Sequence, residues 1–235
     1  MTNEEIQTRV LYRDALMLVL DKPAGIAVHA GGAVRGPTLD AYFDALRYGL
    51  PRRPELAHRL DRETSGCLVL GRHRKSIASL NGMFREGSVE KIYLAVVEGG
   101  PPEEAGLVDL PLAKKDVARG WHMKVDAEKG LPSRTGYRVL DRSAGHALVE
   151  LNLHTGRTHQ LRVHMAALGC PILGDRAYGN ALSGGPMLHL HSWRTTVPLY
   201  PKREPIRVAA PLPPHIAATL KDFGFEWVDP ACSSV

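Results

Sequence analysis

Short apolar runs separated by turn residues dominate this chain. Val10-Leu11-Tyr12 and Leu16-Met17-Leu18-Val19-Leu20 flank Arg13-Asp14, which predicts a strand, a turn and a second strand. Asp21-Lys22-Pro23-Ala24-Gly25 closes the pair, because Pro fixes φ and Gly permits φ > 0. Ile26-Ala27-Val28-His29 reads as a resumed strand. Leu39, Tyr42, Phe43 and Leu46 recur at helical spacing behind Thr38, a natural cap, and Gly49-Leu50-Pro51 ends that helix. Cys67-Leu68-Val69-Leu70 is a continuous apolar run, the mark of a buried strand, and Ser65-Gly66 supplies the turn before it.

A second helix carries Ile77, Leu80 and Phe84, with Gly87 past its end. Residues 88–97 alternate, with Lys91, Tyr93, Ala95 and Val97 on one face and Ile92, Leu94 and Val96 on the other. Residues 103–133 are polar and turn-rich; residues 136–140 and 147–151 form a strand pair. Leu161, Met165 and Leu168 make the buried stripe of a third helix stopped by Gly169, with His159, Arg162 and Ala166 on the adjoining face. A late strand opens at Met187, another covers residues 206–210, and a short helix reaches Phe223. Strands and helices both recur along the chain. No repeat or interdomain linker breaks it, so residues 1–235 read as one domain, with a core at about 10–214 and a helix and tail at 215–235.

Composition narrows the class. At 235 residues, 44% hydrophobic and 23% charged, the chain can build a sizeable core. The net charge of +5 suits a polyanionic partner. Cys67, Cys170 and Cys232 are odd in number and far apart, which argues against a disulfide framework and for a reducing compartment. No apolar run approaches the ~20 residues that span a membrane, and the acidic start has no signal-peptide core. The expected location is cytoplasmic.

The stretch His58-Arg59-Leu60-Asp61-Arg62-Glu63-Thr64-Ser65-Gly66 sets a carboxylate between two arginines beside the buried strand. Cations keep a carboxylate ionised, which suits a nucleophile or general base; a solvated surface ion pair is the other reading. Arg52-Arg53 and the cluster Arg72-His73-Arg74-Lys75 are either phosphate contacts or solvated charge, and Lys22 belongs to a plain turn from which it could also touch phosphate. Lys114, Lys115, Arg119, His122, Lys124 and Lys129 surround Trp121, a pattern that suits a nucleic-acid contact loop as well as an irregular excursion. Tyr93 is a sheet-packing aromatic or a stacking residue. Arg162, at the border of the core, requires a carboxylate partner. His154, His159 and His164 are five apart, so His159 and His164 do not share a helical face, and His189-x-His191 on a strand lacks further ligands; no metal site is expected. Asp61 and Glu63 stand too close in one loop for a glycosidase pair. No cofactor motif is present.

The segment at 58–66 resembles the signature His-Arg-Leu-Asp-x-x-Thr-Ser-Gly of the RluA-type RNA pseudouridine synthases. Further resemblances follow in order: Asp-Lys-Pro-Ala-Gly-Ile from residue 21, Lys-x-Tyr-x-Ala-x-Val-x-Gly from Lys91, Thr-Gly-Arg-x-His-Gln-Leu-Arg-x-His from Thr155, and Gly-x-Pro-Ile-x-Gly-Asp from Gly169. The resemblance implies the α+β pseudouridine synthase fold: a mixed, mostly antiparallel central sheet flanked by helices and loops, with an active-site cleft across it. It implies Asp61 as catalytic residue, Tyr93 stacked on the target base and Arg162 paired with Asp61. Arg59, Arg62, His58, Lys91 and Leu188 are the implied substrate-binding residues, Leu188 lining the base pocket; Leu190 stands where relatives commonly have Ala. The partner implied is RNA, as a tRNA or 23S-type large-subunit rRNA stem-loop with tRNA ahead, acted on by a monomer without metal or cofactor. An N-terminal S4 module has no room before residue 10. The rival expectations are a noncatalytic RNA-binding protein of the same fold and a metal-assisted hydrolase.

Overall fold

The computed structural model describes residues 1–31, 36–115 and 122–228. Arg119, Trp121 and Cys232, singled out from the sequence, lie outside them. The chain divides into two compact units: Met1–Glu90 with Ser192–Pro211, and Lys91–His191 with Leu212–Val235.

The first unit opens on α1 (Asn3–Thr8), where the sequence suggested only an acidic tail. A reciprocal cap explains it: Thr2 Oγ1 accepts from the Glu5 amide, and the Glu5 carboxylate accepts from the Thr2 amide. The expected hairpin is β1 (Val10–Arg13) with β2 (Met17–Lys22), and its turn is built on Asp14, whose Oδ1 accepts from the Leu16 and Met17 amides. Residues 26–29 do not resume a strand. The carbonyls of Ala27 and Val28 accept instead from Leu39 and Asp40, so this segment's hydrogen bonds go to the next helical piece. That piece, Leu39–Leu46, is a 3-10 helix burying the expected Leu39, Phe43 and Leu46, while the Thr38 hydroxyl bonds Asp40 rather than capping it.

After β3 (Glu55–Leu56) comes β4 (Ser65–Gly71), buried along its whole length and antiparallel to β2 with Leu20 opposite Leu68. Burial on both faces is why its sequence is continuously apolar. The helix α2 (Arg74–Glu86) ends at Gly87 in the left-handed region. Arg72 is not part of a solvated basic cluster: it is buried and donates to the carbonyls of Asp14 and Arg47.

In the second unit β5 (Glu90–Glu98) is buried on both faces from Lys91 to Val97, so its alternation does not separate a core face from a wet one. The polar stretch that follows is organised into β6 (Ala105–Asp109) and a small hairpin of β7 (Leu112–Lys114) and β8 (Met123–Val125). The expected strand pair is β9 (Arg134–Ser143) and β10 (His146–Leu153), and the order in this unit is β5-β10-β9-β6. The helix α3 (Gln160–Ala167) follows. The chain then contributes β11 (Leu190–Val197), from Ser192 onward, and β12 (Ile206–Ala209) to the first unit. It ends the second with α4 (Pro214–Asp222), whose Ile216 and Leu220 pack on Val96 and Leu148. Every strand pairing described inside either unit is antiparallel, in line with the mostly antiparallel expectation. Among the described residues no helix is long and apolar enough to cross a membrane.

Candidate active site

In the first unit the loop before β4 is anchored by buried Leu60 and Thr64, and between them a turn closes where the Thr64 amide donates to the Asp61 carbonyl, 3.2 Å. Asp61 heads this turn, half-buried, with Arg59 and Arg62 exposed on either side. The neighbouring Pro-Gly turn grips the loop at one peptide. The Arg62 carbonyl accepts from the Gly25 amide at 2.9 Å and from Lys22 Nζ at 3.1 Å, while Arg62 Nε donates to the Gly25 carbonyl at 3.0 Å. Lys22 Nζ also donates to the Pro23 carbonyl, 2.8 Å. Lys22 has no exposed surface, so the expected phosphate contact does not fit; its ammonium is an internal tie. Burial pushes its pKa down to about 7, against the opposing pull of Glu63, Asp61 and Asp21.

His58 lies behind the loop. Its Nε2 accepts from the Val69 amide at 2.9 Å, and its ring stacks on Phe84 with centroids 4.3 Å apart. Gly66 is required by geometry: its φ is +105°, and a Cβ there would stand 2.2 Å from the Ser192 carbonyl oxygen.

In the second unit Lys91 and Tyr93 share a face of β5 by the strand's pleat, and both are buried. Burial lowers the Lys91 pKa. Leu188, also buried, immediately precedes β11 by two residues. The turn into α3 is tied to β9 by Gln160, whose Oε1 accepts from Thr155 and the Arg157 amide and whose Nε2 donates to the Arg134 carbonyl and Thr135. His159 precedes the helix at φ +53°, a conformation seldom taken by a residue with a side chain. From Gln160 to Met165 the helix is buried all round, and Leu168, expected in the buried stripe, is only half-buried. His164 engages Thr135 through Nδ1 and the Leu110 carbonyl through Nε2. Among the described residues no group of three or more His, Cys, Asp or Glu could hold a metal ion.

Arg162 has the carboxylate partner a core arginine requires, and one such partner is Asp175. Nε and Nη2 each donate to it at 2.7 Å, in a fork whose acid is fully buried. Tyr178 adds its ring 5.2 Å from the guanidinium carbon. In the sequence Asp175 stands out only as the end of a motif, and Tyr178 carries no signal of its own. The one usable signal was that a core arginine needs an acid.

A family model described as RNA pseudouridylate synthase matches residues 16–167. An uncharacterized RNA pseudouridine synthase of Zymomonas mobilis is 40% identical over 92% of this chain and 97% of its own length. The ribosomal large subunit pseudouridine synthase C of Haemophilus ducreyi is 35% identical over 92% of this chain and 69% of its own. The solved structure of human RNA pseudouridylate synthase domain containing 4 superposes with a TM-score of 0.81 at 27% identity, covering 97% of both chains. With this fold, and with the motifs of residues 21–175 in order, the chain belongs to the RluA-type family of RNA pseudouridine synthases, which are isomerases.

Proposed function

We propose that this enzyme converts uridine to pseudouridine in large-subunit ribosomal RNA, with Asp61 starting the reaction. The feature that carries the assignment is the turn at 61–64, with the acid at its head and arginines on both sides, secured through the Arg62 peptide. The N1–C1′ bond of the target breaks, the uracil turns, and a C5–C1′ bond forms. C5 gives up its proton and N1 gains one, so the change is isomeric and needs neither redox partner nor energy source. Asp61 initiates cleavage as nucleophile or as base. Tyr93 stacks on the uracil, Leu188 lines its pocket, and Arg162 keeps the aspartate ionised. Arg59 and Arg62, exposed on either side of Asp61, are suited to grip phosphate or displace the base. The target nucleotide leaves its stack to be reached, and the exposed cations of the β7–β8 hairpin suit backbone contact that weakens with salt.

The choice of ribosomal RNA over tRNA draws on relatives named as ribosomal large subunit pseudouridine synthases C and D. The test has two parts. Tritium release from RNA labelled at uridine C5 is expected with the purified protein and absent with Asp61→Asn; an active variant rejects Asp61. Mapping pseudouridines in cells lacking the protein is expected to reveal a vacancy in large-subunit rRNA, and a vacancy confined to tRNA selects the other substrate.

A further inference from the structure

We infer that Asp175, together with Tyr178, is a positioning residue that presets the Arg162 guanidinium for the isomerisation. The inference rests on the role given to Arg162 above. An arginine side chain is long and rotatable, so a guanidinium useful to the reaction has to be held from outside. Asp175 holds the Nε–Nη2 edge with both of its carboxylate oxygens, which fixes the plane of the guanidinium.

The clamp is itself immobilised. Asp175 Oδ1 also accepts from the amides of Ala177 and Tyr178, at 2.8 and 3.0 Å, so rotation of the carboxylate disturbs four hydrogen bonds. The backbone beneath it is knitted in: the Leu173 amide donates to Val96 of β5, and the His189 amide to the Leu173 carbonyl. Gly174, at φ +81°, lets this turn pass against residue 187, where a Cβ would stand 2.0 Å from the Met187 carbonyl oxygen. The turn that carries Asp175 thus packs on the segment that delivers Leu188.

Tyr178 is fixed at its far end. Its hydroxyl accepts from the Met123 amide of β8 at 2.8 Å and pairs with His159 Nδ1 at 2.8 Å. The ring beneath the guanidinium is therefore pinned between the basic hairpin and the entry to α3, and the unusual backbone of His159 has a use: it turns that imidazole to the hydroxyl. Asp175 is not a second catalytic acid. Burial raises its pKa, but Arg162 and the two amides outweigh burial and hold it below the usual carboxylate range, ionised at neutral pH.

The experiment compares single-turnover rates and RNA binding of the full chain and its D175N, Y178L and R162M variants on C5-tritiated RNA. It also records the Arg162 Nε–H resonance by nitrogen-15 NMR. D175N is expected to slow the chemical step about 100-fold, the effect of about an ångström of misplacement, with RNA affinity unchanged and the resonance lost or shifted. Y178L is expected to slow it about fivefold. A folded D175N with the parent rate beside an inactive R162M overturns the positioning role alone. An active R162M overturns the reading of Arg162 itself. If D175N does not fold, D175E keeps the charge on a longer stem: a slowed step with unchanged RNA affinity supports the role, and the parent rate overturns it.

Discussion

Two buried cations, Lys22 in the first unit and Arg162 in the second, are held by opposite means. Lys22 donates only to carbonyls, those of Pro23 and Arg62, with no direct carboxylate bond among its described contacts. Arg162 donates to a buried carboxylate along a full edge. Carbonyl dipoles satisfy the ammonium's hydrogen bonds without cancelling its charge, so burial drives the lysine down to about 7. A carboxylate cancels charge and hydrogen bonds together, and arginine does not deprotonate in proteins in any case. The loop of Asp61 is thus gripped by a tie that titrates near neutrality, whereas the support of Arg162 is independent of pH across the working range.

Removing each cation tests the contrast, and the largest effect is expected for Arg162→Met. It strands the Asp175 carboxylate in the interior, at a cost of about 3–5 kcal/mol in urea unfolding. Lys22→Met is expected to cost less, about 1–2 kcal/mol. The lost hydrogen bonds are partly offset by removal of an uncompensated charge, and the Arg62 carbonyl keeps the Gly25 amide. If the two variants prove equally destabilised, the distinction between the two kinds of holding fails.

The next effect is in pH. The folded pKa of Lys22 lies near 7 and the unfolded value near 10.5. Between them the unfolded chain binds more protons than the folded one, so this group makes stability rise with pH, by up to about 1.4 kcal/mol per unit. Below pH 7 both states carry the proton and the full burial cost is present. Stability of the parent minus that of K22M is therefore expected to climb from pH 7 to pH 10 and stay flat from pH 5 to pH 6. A flat difference throughout shows that Lys22 keeps its ordinary pKa.

How much of this was legible depends on how far each signal reaches. The apolar runs of β2 and β4 and the glycine stops of α2 and α3 are local, and they stand where the sequence predicts them. Residues 26–29 looked like a strand because they are apolar, but strand identity needs a partner, and theirs is the 3-10 segment. Lys22 reads as a turn residue with phosphate in reach, and only the fold reveals that its stem is enclosed. The motif around Asp61 was recognisable as a unit, and Gly66 shows a physical reason for one of its letters, the close approach of the Ser192 carbonyl. The Arg162–Asp175 pair joins residues separated by a helix end and a turn, and no periodicity encodes that.

The smallest expected effect, on Glu63, is also the sharpest probe of the carbonyl-held lysine. Glu63 pairs with Arg62 at 3.5 Å in an exposed setting, so Glu63→Gln is expected to change stability at pH 7 by less than about 1 kcal/mol. Yet Glu63 heads the charges that pull the Lys22 pKa upward. Without it the lysine loses its proton at lower pH, and the rise in stability that marks its titration begins earlier. Nothing comparable is expected for Arg162, whose proton stays on in either background. The measurement is the stability–pH profile of the glutamine variant against the parent. A shift of the rising limb toward acid supports the coupling, and superimposable profiles show that solvent screens Glu63 from the buried ammonium.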